Sequence, residues 1–417
     1  MTNPPPPTAL SFREVLALRP VRSLWTAQVV SIFGDFLAIF AVFSVVTFDL
    51  HGTPNQVGMI LVSFLAPLAV ISPIAGVFID RWNVKWTMIS SDLIRGVLVL
   101  VLLRVHDLYA IYAIFFAMSA VSSFFIPAQS VTVRTITPQA GLMATNALMS
   151  QAIQGLQIIS PAIAGLLVQW LGANSCFLID SLSFFFSAAM VYTIAIHREA
   201  APSGQRAASV IASMKQGITF VFTHAAISFV VISMTAGMFA IRCFGALLSV
   251  YVRDILVAGS SIFGVLNSLI GVGMIIGSQF VPRLSRKISK QHLVTYGLGG
   301  MGVAVFCTAL LSTLISTAVS MLGLGFFAAF VMIPAQTLIQ QETPQALLGR
   351  VASSLMSLVT MSQLAAMLVA GPVAQSAGIR NLYYGSAVLL VLIAIIGLRQ
   401  LRQPVPSEKA AAMDAAG

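Results

Sequence analysis

The feature that most constrains this chain is a succession of long apolar runs that begins near residue 22 and ends near residue 399. A helix needs about 20 mainly apolar residues to cross the hydrocarbon core of a bilayer. Cutting the sequence at Pro, Gly and charge clusters predicts twelve such spans. The first six are 22–49, 55–79, 86–104, 108–134, 141–170 and 174–196. The second six are 226–253, 259–282, 291–313, 316–340, 347–376 and 380–399. Composition agrees: 58% of residues are hydrophobic and 8% are charged, against roughly 45–50% and 25% in soluble domains. So few charges do not cover a water-soluble surface of 417 residues. The expected fold is an all-α membrane protein with twelve transmembrane helices in two pseudo-symmetric six-helix bundles.

A net charge of +10 raises the question of nucleic acid, but that use needs basic residues gathered on one soluble face. Here they are scattered in small groups between apolar runs, as the cytoplasmic loops of membrane proteins require. With a cytoplasmic N-terminus, 17 Lys and Arg fall on the inner side and three, Arg104, Arg253 and Arg380, on the outer. Arg95 and Arg242 lie within spans. The bias predicts that both termini are cytoplasmic. Cys176, Cys243 and Cys307 sit in apolar stretches and form no metal-binding spacing. The opening MTNPPPPTAL lacks the charged, apolar and cleavage regions of a signal peptide.

The sequence also repeats itself. IPAQ at 126–129 recurs at 333–336, TPQA at 137–140 recurs at 343–346, and LMS at 148–150 recurs at 355–357. Ala164, Gly165, Gln169 and Gly172 recur as Ala370, Gly371, Gln375 and Gly378. FSVVTFDL (43–50) resembles LSVYVRDI (248–255), and the offset stays at 205–207 throughout. Two halves in the same orientation are the pattern of a parallel-repeat transporter. The expected organisation is a disordered tail (1–20), an N-terminal bundle (21–197), a cytoplasmic linker (198–225), a C-terminal bundle (226–400) and a second tail (401–417).

Between the second and third spans stands GVFIDRWNVK, with Gly76, Asp80, Arg81 and Lys85 in the pattern G-x-x-x-D-R-x-x-x-[KR]. The second half keeps a worn copy, VPRLSRK, with Arg283 and Lys287. On this loop, the spans and the duplication, the chain resembles the major facilitator superfamily over about residues 20–400. SIFGD, SDLIRG, FLIDSLSF and ETPQALLGR are similar to the branch of macrolide and enterobactin exporters. FGD and AIRCFGALLSVYV are similar to lysophospholipid transporters, and ISPAIAG (159–165) to a degenerate antiporter signature. The resemblance implies a secondary active exporter of small amphiphilic, drug-like molecules, working by alternating access as a monomer in the cell inner membrane. A lysophospholipid flippase, a siderophore exporter and a membrane receptor or scaffold are the alternatives. It also implies that helices 1, 4, 7 and 10 line the cavity.

Charges within spans are costly and face a cavity or a partner. Asp35 in span 1 and Arg242 in span 7 lie at equivalent depths under the repeat offset, so they are expected to bracket the transport pathway, with Asp35 as the candidate proton site. Asp92 and Arg95, three residues apart, share a helix face and neutralise each other. They are expected to tie into the gating loop of Gly76, Asp80, Arg81 and Lys85. Asp180 is expected to accept an interhelical hydrogen bond near the outer end of span 6. Pro127 and Pro334 each remove a helix hydrogen bond and mark candidate gate bends, with Gln129 and Gln336 offering polar groups to the cavity.

Enzymatic chemistry is not expected, because the five histidines fall in loops or at span ends. No cofactor or metal is expected either. No phosphate-binding GxxxxGK[ST] loop occurs, which leaves a proton gradient as the candidate driving force. The expected partners are the bilayer and a small amphiphile, with no nucleic acid.

Overall fold

A computed structural model describes residues 10–79, 82–105, 107–196 and 219–402. Its helices are α1 (Phe12–Ala17), α2 (Arg19–Ser44), α3 (Pro54–Ile79), α4 (Val84–Leu102), α5 (Leu108–Ile136) and α6 (Leu142–Tyr192). They continue as α7 (Ala225–Ala246), α8 (Leu248–Asp254), α9 (Ser260–Leu284), α10 (Lys290–Leu311), α11 (Leu314–Glu342), α12 (Gln345–Ala377) and α13 (Ile379–Arg402). Among the described residues, ten helical stretches are long and apolar enough to cross a membrane. One of these runs for 54 residues and holds two spans, because Gly172 breaks α6 with φ 77°. The 19-residue α4 has spanning length but carries Lys85, Asp92 and Arg95, which lower its hydropathy. Counted this way, the described residues hold twelve candidate spans, within a few residues of the expected limits.

Side chains cap the helices where the chain turns. Asn83 accepts from the Lys85 and Trp86 amides at the start of α4, and Asp107 accepts from the Ala110 amide at the start of α5. Both supply an acceptor to otherwise orphaned N–H groups. The expected free tail over 1–20 is corrected from residue 10 onward; residues 1–9 lie outside the described residues. Ser11 and Glu14 form a capping box for α1, and the two Ser11 hydrogen bonds hold the Glu14 carboxyl below its usual range. Val15 is buried, and the Leu10 amide donates to the Ala140 carbonyl at 3.0 Å. These contacts dock α1 beside the turn that precedes α6. Most of the expected linker, 197–218, and the residues after 402 also lie outside the described residues.

The duplication reaches the backbone. His51 and Val257 both take φ 50°, and Gly172 and Gly378 take φ 77° and 89°. Each pair is separated by 206 residues, the repeat offset. Left-handed φ at non-glycine positions is uncommon, so its recurrence in register is independent evidence of common descent.

By contact the chain forms two units. The first comprises Met1–Val210, Gly245–Gly271 and Leu364–Ile379; the second comprises Ile211–Phe244, Val272–Gln363 and Arg380–Gly417. In the first, α6 packs along α2 and α4, and α3 along α5. Leu24, Met88, Phe125, Met149 and Ala188 contribute to its apolar core. In the second, α10 packs along α11, and Val281, Leu293, Ala329 and Phe330 form a core cluster.

Segments from both sequence halves meet in a seam inside the first unit. A Cβ on Gly165 would lie 2.9 Å from the Ser260 carbonyl and 3.0 Å from the Gly264 Cα, so α6 and α9 cross backbone to backbone. The repeat-related crossing joins α3 to α12: a Cβ on Gly371 would lie 2.7 Å from the Asn55 Cα, and one on Gly58 3.7 Å from the Gly371 Cα. Small residues permit such close approach between membrane helices. Beside them the Thr47 hydroxyl donates to the Ser249 hydroxyl at 3.0 Å. Arg253 donates to the Thr47 and Gly52 carbonyls at 2.6 and 3.0 Å.

Candidate functional site

The ionisable side chains expected from the sequence converge in the first unit around one cation. Arg95 is buried (4% exposed) and projects from α4 between two aromatic rings. Its Cζ lies 4.7 Å from the Phe125 centroid and 4.3 Å from the Phe184 centroid. An arginine placed over ring faces gains cation–π attraction while its edges stay free for anions. On those edges Arg95 is hydrogen-bonded to Asp92 one turn back and lies 3.9 Å from the Asp35 carboxylate of α2. Ser122 of α5 accepts from Nη1 at 3.5 Å.

The two carboxylates on Arg95 differ in their surroundings. Asp92 is fully buried and also accepts from the Ser187 hydroxyl of α6 at 2.7 Å. Asp35 has a side chain 29% exposed and an ion pair near the outer limit of contact. One carboxylate is thus hydrogen-bonded to the guanidinium in a buried position, and the other is farther away and partly exposed.

Local sequence explains why α6 comes so close. Gly34 precedes Asp35, and a Cβ there would collide with Asp180 and Ser183. On the opposite side the Ser181 hydroxyl donates to the Gly96 carbonyl of α4 at 2.9 Å. Asp180, Ser183 and Ser187 are spaced by three and four residues, so they form one polar stripe along α6. Asp180 is fully buried. The Ser183 hydroxyl of the same helix donates to the Asp180 backbone carbonyl at 2.7 Å and lies 3.3 Å from Oδ1, a contact within α6 that replaces the expected interhelical bond. Its Oδ2 has no hydrogen-bond partner.

The structure brings Asp35, Asp92 and Arg95 together. The Asp92–Arg95 pair forms as expected and also reaches into the bundle toward Asp35. Asp80 and Arg81 lie outside the described residues, as do the surroundings of Gly76. Lys85 stands 5.1 Å from the Tyr192 ring centroid. Arg242, in the second unit, is exposed on α7 and donates from Nε to Gln363 Oε1 of α12 at 2.7 Å. An exposed guanidinium at mid-span depth requires a polar, water-reachable surrounding.

Pro127 lies inside α5 and Pro334 inside α11, the latter buried. Gln129 is half-buried and lines a cavity of about 380 Å³ with Arg134, Asn146 and Met149, whereas Gln336 is exposed. Sequence reasoning missed Gly34, Ser183 and Ser187. The signal was present in the glycine beside an intramembrane carboxylate and in the serines at helical spacing from Asp180.

The cluster lacks a nucleophile–base pair, and no group of acidic, His or Cys side chains among the described residues has a metal-site arrangement. It is a buried ion-pair network on spanning helices, chemistry suited to binding and releasing a charge. The chain is 26% identical over 385 residues to the MFS-type transporter YfiS of Bacillus subtilis (strain 168), covering 90% of this chain and 92% of that one. It is 23% identical over 386 residues to Macrolide efflux protein A of Streptococcus pyogenes, covering 90% and 94%. Its fold matches the crystal structure of the nucleoside transporter NupG with a TM-score of 0.73 at 11% identity, over 93% of this chain and 100% of that one. A family model of the Major Facilitator Superfamily matches residues 24–362, and this multi-pass membrane chain, a transporter and not an enzyme, belongs to that superfamily.

Proposed function

We propose that the protein exports amphiphilic small molecules across the inner membrane by alternating access, driven by protons moving the other way. The observation that carries this reading is the asymmetry at Arg95. Asp92 holds the guanidinium from a fully buried position, while Asp35 sits 3.9 Å away with its side chain partly open. Protonating Asp35 discharges the weaker half of the network and frees Arg95 from one anion. Two protonation states then favour two arrangements of α2 and α4, which is what coupling requires. Similarity to a macrolide efflux protein supports the substrate class. The exposed Arg242–Gln363 pair supplies a second polar contact for a substrate.

The excess of Lys and Arg in alternate loops supports cytoplasmic termini. That orientation puts the seam of Thr47, Ser249 and Arg253 at the outer face, where it acts as the outer gate. In everted vesicles we expect accumulation of a macrolide or lipophilic cation that depends on an imposed pH gradient. Asp35→Asn lowers it to the level of vesicles without the protein. Uptake confined to labelled lysolipids and independent of the pH gradient would replace this reading with lipid flipping.

A further inference from the structure

Asp180 takes no part in the coupling just described, yet like Asp92 it is fully buried in the cluster. We propose that Asp180 is a second proton-holding group, so that the N-terminal bundle stores two exchangeable protons, one on Asp35 and one on Asp180. The inference deepens the proton-coupled reading and rests on it.

The grounds are charge balance and geometry. Asp35 and Asp92 share the Arg95 guanidinium in the interior of the bundle, and Asp180 packs beside them against Gly34. Asp92 takes that cation through a direct hydrogen bond and has Ser187 as a further donor. One ionised carboxylate therefore balances Arg95, and each additional one is an uncompensated charge away from water, which costs far more than taking up a proton. Asp35 meets this requirement by exchange with its open side. Asp180 has no open side: its residue exposure is 0%, and Oδ2 has no hydrogen-bond partner. A buried carboxyl with one oxygen unengaged lacks the donors that would hold it ionised, which favours taking up a proton there.

The groups facing Asp180 can be named element by element. From α2 comes Asp35, next to the glycine on which Asp180 packs; from its own helix comes the hydroxyl of Ser183; on α4 stands Arg95, stacked on Phe184 of the same helix as Asp180 and hydrogen-bonded to Asp92. The transfer is a simple exchange. The O–H bond of protonated Asp180 breaks, an O–H bond forms on the ionised Asp35 carboxylate, and the proton leaves from Asp35 to the open side. Asp180 becomes the anion that Arg95 attracts. Net charge in the cluster is unchanged by the internal step and falls by one when Asp35 releases its proton.

The test counts protons released into a lightly buffered solution when the purified protein binds a macrolide or lipophilic cation, with infrared detection of protonated carboxyls. The wild type is expected to release two protons per substrate, Asp180→Asn one, and the conservative Asp180→Glu two again. The infrared band of a protonated carboxyl absent from Asp180→Asn should persist in Asp35→Asn. The band is also read on wild-type protein at rest, so a poorly folding Asn variant does not remove the test. A wild type that releases one proton, lost in Asp35→Asn and unchanged in Asp180→Asn, overturns the second site and leaves the coupling reading intact. A wild type that binds substrate without releasing any proton overturns the coupling reading itself.

Discussion

At the scale of single residues, Arg95 organises the interior of the first unit. It is the cation available to Asp92 and Asp35, and it is held between Phe125 and Phe184. Breaking a buried pair by removing one partner costs about 3–5 kcal/mol, because the other charge is left uncompensated. Arg95→Gln is therefore expected to lower the thermal unfolding temperature in detergent strongly, and Asp92→Asn to do the same. Asp35→Asn is expected to leave that temperature nearly unchanged, because its ion pair is longer and partly open. Gly34 bears on the same cluster through sterics. Gly34→Ala places a methyl against Asp180 and Ser183, and overpacking of this kind costs about 1–3 kcal/mol. Unfolding of that variant should begin at lower temperature.

The sequence marked Asp35, Asp92, Arg95 and Arg242 because charge inside an apolar span is rare. It did not reveal that Arg95 reaches Asp35. Nothing along the chain says that α4 faces α2 at that height; α6 packs against both, coming close to α2 where Gly34 has no side chain.

At the scale of elements, the seam is built from one helix contact made twice by the duplicated sequence. The Gly165–Gly264 and Gly58–Gly371 crossings are copies of one contact, and each depends on the absence of a side chain. Gly165 and Gly371 were legible as part of the repeat. Gly58 and Gly264 stand at the same offset but in stretches where little else matches, so only the close approach of the backbones identifies them. Gly264→Leu is expected to hold α9 away from α6 and to expose the seam. A cysteine placed at Ser249 should then react with a polar thiol reagent from outside, where it is protected in the parent protein. Arg253→Ala removes the donors to the Thr47 and Gly52 carbonyls and should raise the same labelling rate to a smaller extent. Equal protection of Ser249→Cys in all three backgrounds would show that the seam does not hold the outer gate.

At the scale of the whole molecule, the all-α architecture and its spans follow from apolar run length, and the superfamily from the loop motif together with the repeat. The turns at His51 and Val257, and at Gly172 and Gly378, add conformational evidence for the duplication. The substrate was less legible, because recognition of an amphiphile rests on cavity shape and a few polar groups rather than on a fixed motif. The central claim is that Asp35 exchanges a proton against substrate while Arg95 and Asp92 remain paired. It is tested most directly in vesicles containing the purified protein, given a substrate gradient and no initial pH gradient. The wild type is predicted to move protons against the substrate and build a pH difference that Asp35→Asn fails to build. Substrate flux in the wild type with no accompanying proton movement, or undiminished proton movement in Asp35→Asn, would contradict it.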